Sequence, residues 1–190
     1  MGLLDALLGR SKPVRPNLDA LFAVPAAAVG LQAALGLVPT GAGAVCFSSA
    51  EGQAAGQARA DALALLEGDA LAQNEVRTDE YGYTWIVRRR ADGDLAALVT
   101  DLHAVNATLT DAGFGPSLLC TVVSFAGTGP PPRHLTLVYL FKRGTFYPFV
   151  PTGPGARDTV LEMQVRAQLT GELPVEADLS RWFPIWGSPA

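Results

Sequence analysis

The sequence has few of the residues that build metal sites and disulfide frameworks. Its 190 residues include two cysteines and two histidines. Cys46 and Cys120 are far apart in the chain and lie inside apolar runs, unlike the closely spaced ligands of zinc sites or the dense cysteines of small secreted proteins. We therefore expect two buried free thiols, no metal and no cofactor.

The signature motifs of common enzyme classes are also missing. The sequence has no GxxxxGK[ST] phosphate loop, no GxSxG nucleophile turn and no HExxH zinc motif. Gly41 and Gly43 precede the apolar residues of a predicted strand instead of joining a strand to a helix, so they do not predict a phosphate site. His103 is predicted to face solvent, and nothing in the sequence places a nucleophile or a carboxylate beside His103 or His134. We expect a protein that is not an enzyme.

Charged residues are few, and the net charge is slightly negative. Fourteen Lys and Arg residues stand against 18 Asp and Glu residues, a net charge of -4, which removes the general attraction to nucleic acid. Arg88, Arg89 and Arg90 form the basic cluster, and Asp92 and Asp94 follow closely. We interpret the cluster as a solvated strand end, with a phosphate or lipid headgroup contact as the alternative.

Apolar residues make up 49% of the chain, which excludes disorder over most of its length. One run, residues 20–38, approaches the length of a membrane-spanning helix. However, it is rich in alanine and contains Pro25, Gly30 and Gln32. These features favour a packed helix of a soluble protein over a spanning segment or a signal sequence.

The hydrophobic periodicity predicts helices and strands in mixed order. Helices are expected near residues 25–36, 53–67, 94–113 and 159–171, the last opened by a capping box from Thr159 to Glu162. Strands are expected at residues 40–47, 71–78, 83–89, 117–125, 134–142 and 145–150. Pro148 places the last strand at an edge. This order predicts an α+β domain, residues 17–190, with a mostly antiparallel sheet of five or six strands and helices packed on it.

Residues 1–16 are predicted to be separate from this domain, as an amphipathic helix followed by a proline-containing connector. Such an apolar face followed by cations is typical of helices that lie on anionic membrane surfaces. Packing on the domain itself is the alternative. The candidate membrane contacts are Leu3, Leu4, Leu7, Leu8, Arg10 and Lys12.

An aromatic segment lies near the other terminus, and a large apolar surface there must be covered. Closure over the protein's own sheet is the favoured interpretation, and docking on a partner is the alternative. The candidate partner-docking residues are Arg181, Trp182, Phe183, Ile185 and Trp186.

Four segments together resemble one protein family. These are the start MGLLDALLGRSKPVRPNLDALFAVPAAAV, the strand GAGAVCF, the hairpin DEYGYTWIV and the end ADLSRWFPIWG. They are similar to the PspA-associated protein PspAB family over nearly the whole chain. None of the four is a catalytic motif, so the resemblance assigns no catalytic residue.

The resemblance implies a non-enzymatic accessory or adaptor protein of a phage-shock-type envelope stress response. It implies PspA, or another envelope-stress protein encoded nearby, as the partner. The composition is cytosolic and the amphipathic start is compatible with the inner face of a membrane, so we expect a cytoplasmic location at that face. Two other functions stay open from the residues. One is a small-molecule binder or enzyme with a pocket between sheet and helices, and the other is a chaperone-like module with an exposed apolar groove.

Overall fold

A computed structural model describes residues 17–48 and 52–190. The main strands are β1 (Leu37–Ser48), β2 (Ala72–Thr78), β3 (Tyr83–Arg90), β4 (Leu118–Gly127), β5 (His134–Leu140) and β6 (Thr145–Phe149). They form one antiparallel sheet in the order β2-β3-β1-β4-β5-β6. Two short strands, β7 (Pro151–Gly153) and β8 (Ala156–Arg157), pair separately. The predicted α+β class with a mostly antiparallel sheet of five or six strands is confirmed, and the sheet has six.

Helices cover one face of this sheet, which we call the helical face. Within the described ranges the α-helices are α1 (Val24–Leu35), α2 (Gln53–Ala64), α3 (Leu95–Leu109) and α4 (Thr159–Leu169). A short 3₁₀ helix, Leu18–Ala23, precedes α1. The apolar stripes of these helices and the inward side chains of the strands form one buried core. That burial is the main stabilising contribution to the fold.

The 3₁₀ helix and α1 together, Leu18–Leu35, form a stretch long and apolar enough to span a membrane by length and composition. Core helices of soluble proteins pass the same test. Here Val24, Ala27, Ala28 and Leu31 are buried in the core, and α1 packs against α4 and β1. The structure thus places this stretch as a packed helix, the interpretation that its alanine content favoured.

Two glycines of β1 allow the strand to approach its neighbours closely. A side chain at Gly43 would begin 2.7 Å from a methyl group of Leu102 and 2.9 Å from the carbonyl oxygen of Val122. Gly41 has a positive φ of 77°, and a β-carbon there would meet the Arg90 carbonyl oxygen at 2.5 Å. Because these two residues have no side chain, β1 packs closely against α3, β3 and β4.

The start of α4 differs from the prediction. The N-cap is Asp158, whose Oδ1 accepts a hydrogen bond from the backbone N–H of Leu161 at 2.9 Å. Glu162 is buried and turns inward, where it accepts bonds from the Val150 N–H and from Arg157. The predicted capping box at Thr159 is therefore wrong, because a carboxylate one residue earlier already accepts the open amide and Glu162 instead pairs with the half-buried Arg157 guanidinium.

Candidate functional site

The aromatic tail crosses the sheet face opposite the helices, which we call the tail face. Trp182 is 6% exposed; its ring stacks with that of Tyr147 at 6.0 Å, and its Nε1 donates to the Glu176 carbonyl oxygen. Trp186 packs edge-on against Phe149 at 4.9 Å. The tail therefore closes over the protein's own sheet, as the sequence favoured.

Side chains of the sheet hold the tail by its backbone. The Tyr147 hydroxyl donates to the carbonyl oxygen of Phe183 at 2.8 Å, and Arg157 donates to that of Trp182 at 2.9 Å. Arg89 donates to the carbonyl oxygen of Pro189. Because carbonyl groups are the acceptors, these bonds fix the path of the tail without using its side chains.

A cavity of about 540 Å³ remains on the tail face beside the tail. We call it the aromatic groove. Its floor is formed by side chains of β1, β3, β4 and β5, and its walls by the β2–β3 turn on one side and the tail on the other. The main lining residues are Cys46, Trp85, Cys120 and Leu140 on the floor, and Tyr81, Tyr83, Phe183, Ile185 and Trp186 on the walls.

Asp79 organises the wall formed by the β2–β3 turn. Its Oδ1 accepts hydrogen bonds from the backbone N–H groups of Tyr81 and Tyr83, at 3.0 and 2.9 Å. Its Oδ2 accepts from the indole nitrogen of Trp85 at 2.8 Å. One carboxylate thus fixes both the turn and the orientation of the tryptophan on the floor.

Three aromatic side chains of the groove walls remain accessible. Tyr81 is 66% exposed, Phe183 59% and Tyr83 40%. Rings of this size are costly to leave in water and are enriched at protein interfaces. The groove is therefore an accessible aromatic surface instead of a filled core.

Cys46 and Cys120 meet on the groove floor although they are distant in sequence. They lie directly opposite each other in the antiparallel β1–β4 pair and are both free and buried. The hydrogen bond with Cys120 and the burial of the site raise the pKa of the Cys46 thiol. Cys46 is thus neutral at physiological pH and is no activated nucleophile. The expected pair of buried thiols is confirmed.

The two histidines lie away from the groove. His103 packs on the Phe22 ring at 4.7 Å, with its Nε2 3.4 Å from Asp19. The prediction that it faces solvent is therefore wrong in part, because the 3₁₀ helix covers it. His134 lines a separate cavity of about 360 Å³ at the other end of the tail face. A cavity lined by a histidine together with a cysteine would have favoured the enzyme alternative, and the described residues do not bring the two together.

The arginine cluster is not a solvated strand end. Arg88 is 2% exposed; its Nε donates to Asp101 at 2.8 Å and its Nη1 to Asn74 at 2.6 Å. Arg90 bonds Asp69 at 2.6 Å. Strand alternation explains the error, since Arg88 and Arg90 face the same side as Ile86. On that side α3 supplies Asp101, and the segment before β2 supplies Asp69. Two of the three guanidiniums are thus engaged inside the fold.

The candidate membrane contacts Leu3, Leu4, Leu7, Leu8, Arg10 and Lys12 lie outside the described residues. Among the residues that are described, no group of three or more His, Cys, Asp or Glu side chains is placed to hold a metal ion.

Sequence reasoning missed the aromatic groove. The alternating Tyr81, Tyr83 and Trp85 beside the tail's aromatic residues were the available signal.

Comparison with known proteins identifies a family for this chain. A family model described as PspA associated protein B matches residues 1–190, the whole chain. No curated protein and no solved structure gives a significant match. The family description links its members to PspA and names no enzymatic activity. The chain therefore belongs to the family of PspA associated protein B, PspAB.

Proposed function

We propose that this protein is a non-enzymatic accessory protein of a PspA-type envelope stress response that binds PspA in the aromatic groove. The observation that supports this most is the accessibility of Tyr81, Tyr83 and Phe183 around an open cavity of about 540 Å³. Binding energy at protein interfaces concentrates in such aromatic anchors. The family's association with PspA supplies the partner.

The charges at the groove indicate which part of a partner would fit. Asp79 lines the groove, and Glu80 follows it in the turn. Acidic side chains beside an apolar floor favour a segment with apolar anchors next to Lys or Arg. We therefore expect a PspA segment of apolar and basic residues to occupy the groove.

The direct test measures the affinity of purified protein for purified PspA by calorimetry or interferometry. The double variant Tyr81→Ala/Phe183→Ala should bind at least about tenfold more weakly, the loss expected when anchor side chains worth more than about 1.4 kcal/mol are removed. Val160→Ala is the matched control, because Val160 is an exposed apolar residue of α4 away from the groove. It should bind like the unmodified protein.

Unchanged affinity of the double variant would place PspA on another surface, and no binding to PspA would contradict the proposal altogether. The same assay with an unfolded, non-cognate polypeptide addresses the chaperone-like alternative. Equal binding to that chain and to PspA would favour a chaperone-like module. Saturable binding of a small apolar compound without PspA binding would favour the small-molecule alternative.

We also propose a cytoplasmic location with peripheral contact at the inner face of the membrane, through Leu3, Leu4, Leu7, Leu8, Arg10 and Lys12. The support is the pattern of an apolar helical face followed by cations. Cosedimentation with anionic vesicles should decrease when residues 1–9 are removed, and less so with neutral vesicles. Equal pelleting with and without residues 1–9 would contradict this contact.

A further inference from the structure

The relative positions of Cys46 and Cys120 on the groove floor support an inference that is separate from partner binding. Cys46 and Cys120 are directly opposite each other in the register of β1 and β4. Opposed residues of antiparallel strands have Cα atoms about 4.5–5.5 Å apart and side chains on the same face. Disulfides span Cα separations of about 4.4–6.8 Å. The register therefore brings the pair within disulfide distance without movement of the strands.

Cys46 and Cys120 belong to the buried apolar cluster of the tail face and lie where that cluster borders the aromatic groove. Both cysteines line the aromatic groove, which is open to solvent, yet they are only 3% and 6% exposed. Because so little of either side chain is exposed, a small oxidant can reach the sulfur atoms more easily than a bulky disulfide can. A disulfide must approach a thiol in line with its own sulfur–sulfur bond.

We propose that Cys46 and Cys120 form a reversible intramolecular disulfide when the protein meets a hydroperoxide. The pair is a modification site on the groove floor, and hydrogen peroxide is its simplest oxidant.

The chemistry balances in two steps. One of the two thiols releases its proton to water, and its sulfur attacks a peroxide oxygen. The O–O bond breaks, hydroxide leaves and takes up a proton as water, and that cysteine becomes a sulfenic acid. The sulfur of the other cysteine then attacks the sulfenic sulfur, the S–O bond breaks, and the hydroxide leaves as water with the proton of this second thiol. Two thiols lose two electrons, and one peroxide is reduced to two waters.

The test treats the native full-length protein with hydrogen peroxide and measures its intact mass before and after addition of a thiol reductant. We expect the loss of two hydrogen masses, the disappearance of both alkylatable thiols and full recovery on reduction. Cys46→Ser and Cys120→Ser should each lose the disulfide, and oxidation of the one remaining cysteine should stop at sulfenic acid, which dimedone detects. Disulfide-linked dimers, or two thiols that survive native treatment but react once the protein is unfolded, would overturn the proposal.

A second experiment rests on the proposed function. PspA bound in the groove covers both sulfurs, so the complex should lose its thiols several-fold more slowly than the free protein. If the disulfide forms at the same rate with PspA bound, the modification site stands and the docking site is wrong. If PspA binds and no disulfide forms in the free protein, the docking site stands and the modification site is wrong.

Discussion

At the scale of single residues, Arg88 and Arg89 are chain neighbours in opposite environments. Alternate side chains of a strand face opposite sides of a sheet. The Arg88 side chain is 2% exposed and bonded to Asp101 and Asn74, whereas Arg89 is 42% exposed and pairs with Glu75. The two positions therefore provide a matched comparison of a buried and an exposed guanidinium.

We predict that Arg88→Met lowers the free energy of unfolding by about 3–5 kcal/mol, because it leaves buried acceptors and part of a carboxylate without a partner. Arg89→Met should lower it by about 1–2 kcal/mol, because it removes an exposed ion pair with Glu75 and one hydrogen bond to the Pro189 carbonyl oxygen. Urea denaturation followed by tryptophan fluorescence measures both. Equal effects would contradict the buried network.

Glu176 is a second buried charge with several partners. It is 3% exposed and accepts hydrogen bonds from Arg143 at 2.6 Å, Thr145 at 2.9 Å and the N–H of Asp178 at 3.1 Å. Burial opposes its ionisation, but these donors outweigh burial and hold the pKa of Glu176 below its usual value. The ionised form is therefore favoured by folding.

A depressed pKa in the folded state contributes stability above the unfolded pKa, about 4.3, and that contribution is lost as the pH falls through the folded value. We predict that Glu176→Gln costs about 1–3 kcal/mol at neutral pH and makes stability less steeply dependent on pH below about 4.3. Urea midpoints over an acid-to-neutral pH series test this. Glu172→Gln, at an exposed position, is the control, and an identical pH profile for both variants would contradict the prediction.

At the scale of elements, the N-cap of α4 is Asp158, one residue before the Thr159 that the sequence pattern predicted. Asp158→Ala should lower the free energy of unfolding by about 1 kcal/mol, because it removes the acceptor for the Leu161 N–H. Thr159→Ala should change stability by less than half of that amount. Thermal or urea unfolding compares the two, and a larger loss for Thr159→Ala would restore the capping box.

In the tail, different residues are expected to serve stability and partner binding. Trp182→Ala should cost about 3–5 kcal/mol, the range for removing a buried aromatic ring. Phe183→Ala should change stability little and act on partner binding, because Phe183 is 59% exposed. Truncation after Leu179 should abolish cooperative unfolding, and a truncated chain that stays folded would show that the tail is dispensable for the fold.

At the scale of the whole molecule, residues 1–16 are predicted to be separate from the domain of residues 17–190. Protein that lacks residues 1–16 should therefore unfold cooperatively, with a free energy of unfolding within about 0.5 kcal/mol of the full chain. Urea denaturation of both forms is the measurement. A clear loss of stability would mean that the leucines of this segment pack on the domain.

Local pattern was sufficient for much of the architecture. The alternation of Tyr83, Trp85 and Val87 predicted the β2–β3 hairpin, and Pro148 predicted the edge position of β6; both are found in the structure. The leucine stripe of α3 with its cap at Asp94 was equally clear. These features depend on neighbours a few residues away, which a sequence displays directly.

Features that depend on distant residues could not be predicted. The groove floor exists because β1 lies between β3 and β4, which sets Cys46 opposite Cys120. Nothing local to either cysteine indicates that pairing. Likewise, the partners of Arg88 come from a loop and a helix outside β3, so the burial of a charged run required the tertiary structure.

The position of Trp182 after every strand in the chain has a consequence for biosynthesis. During translation the six-stranded sheet can assemble on the ribosome before Trp182 emerges, with Val122, Val138 and Tyr147 still uncovered. A ribosome that stalls after β6 has emerged and before Trp182 has done so would expose this apolar surface to the surrounding proteins. Nascent chains of this protein should therefore recruit chaperones most strongly between the emergence of β6 and that of Trp182.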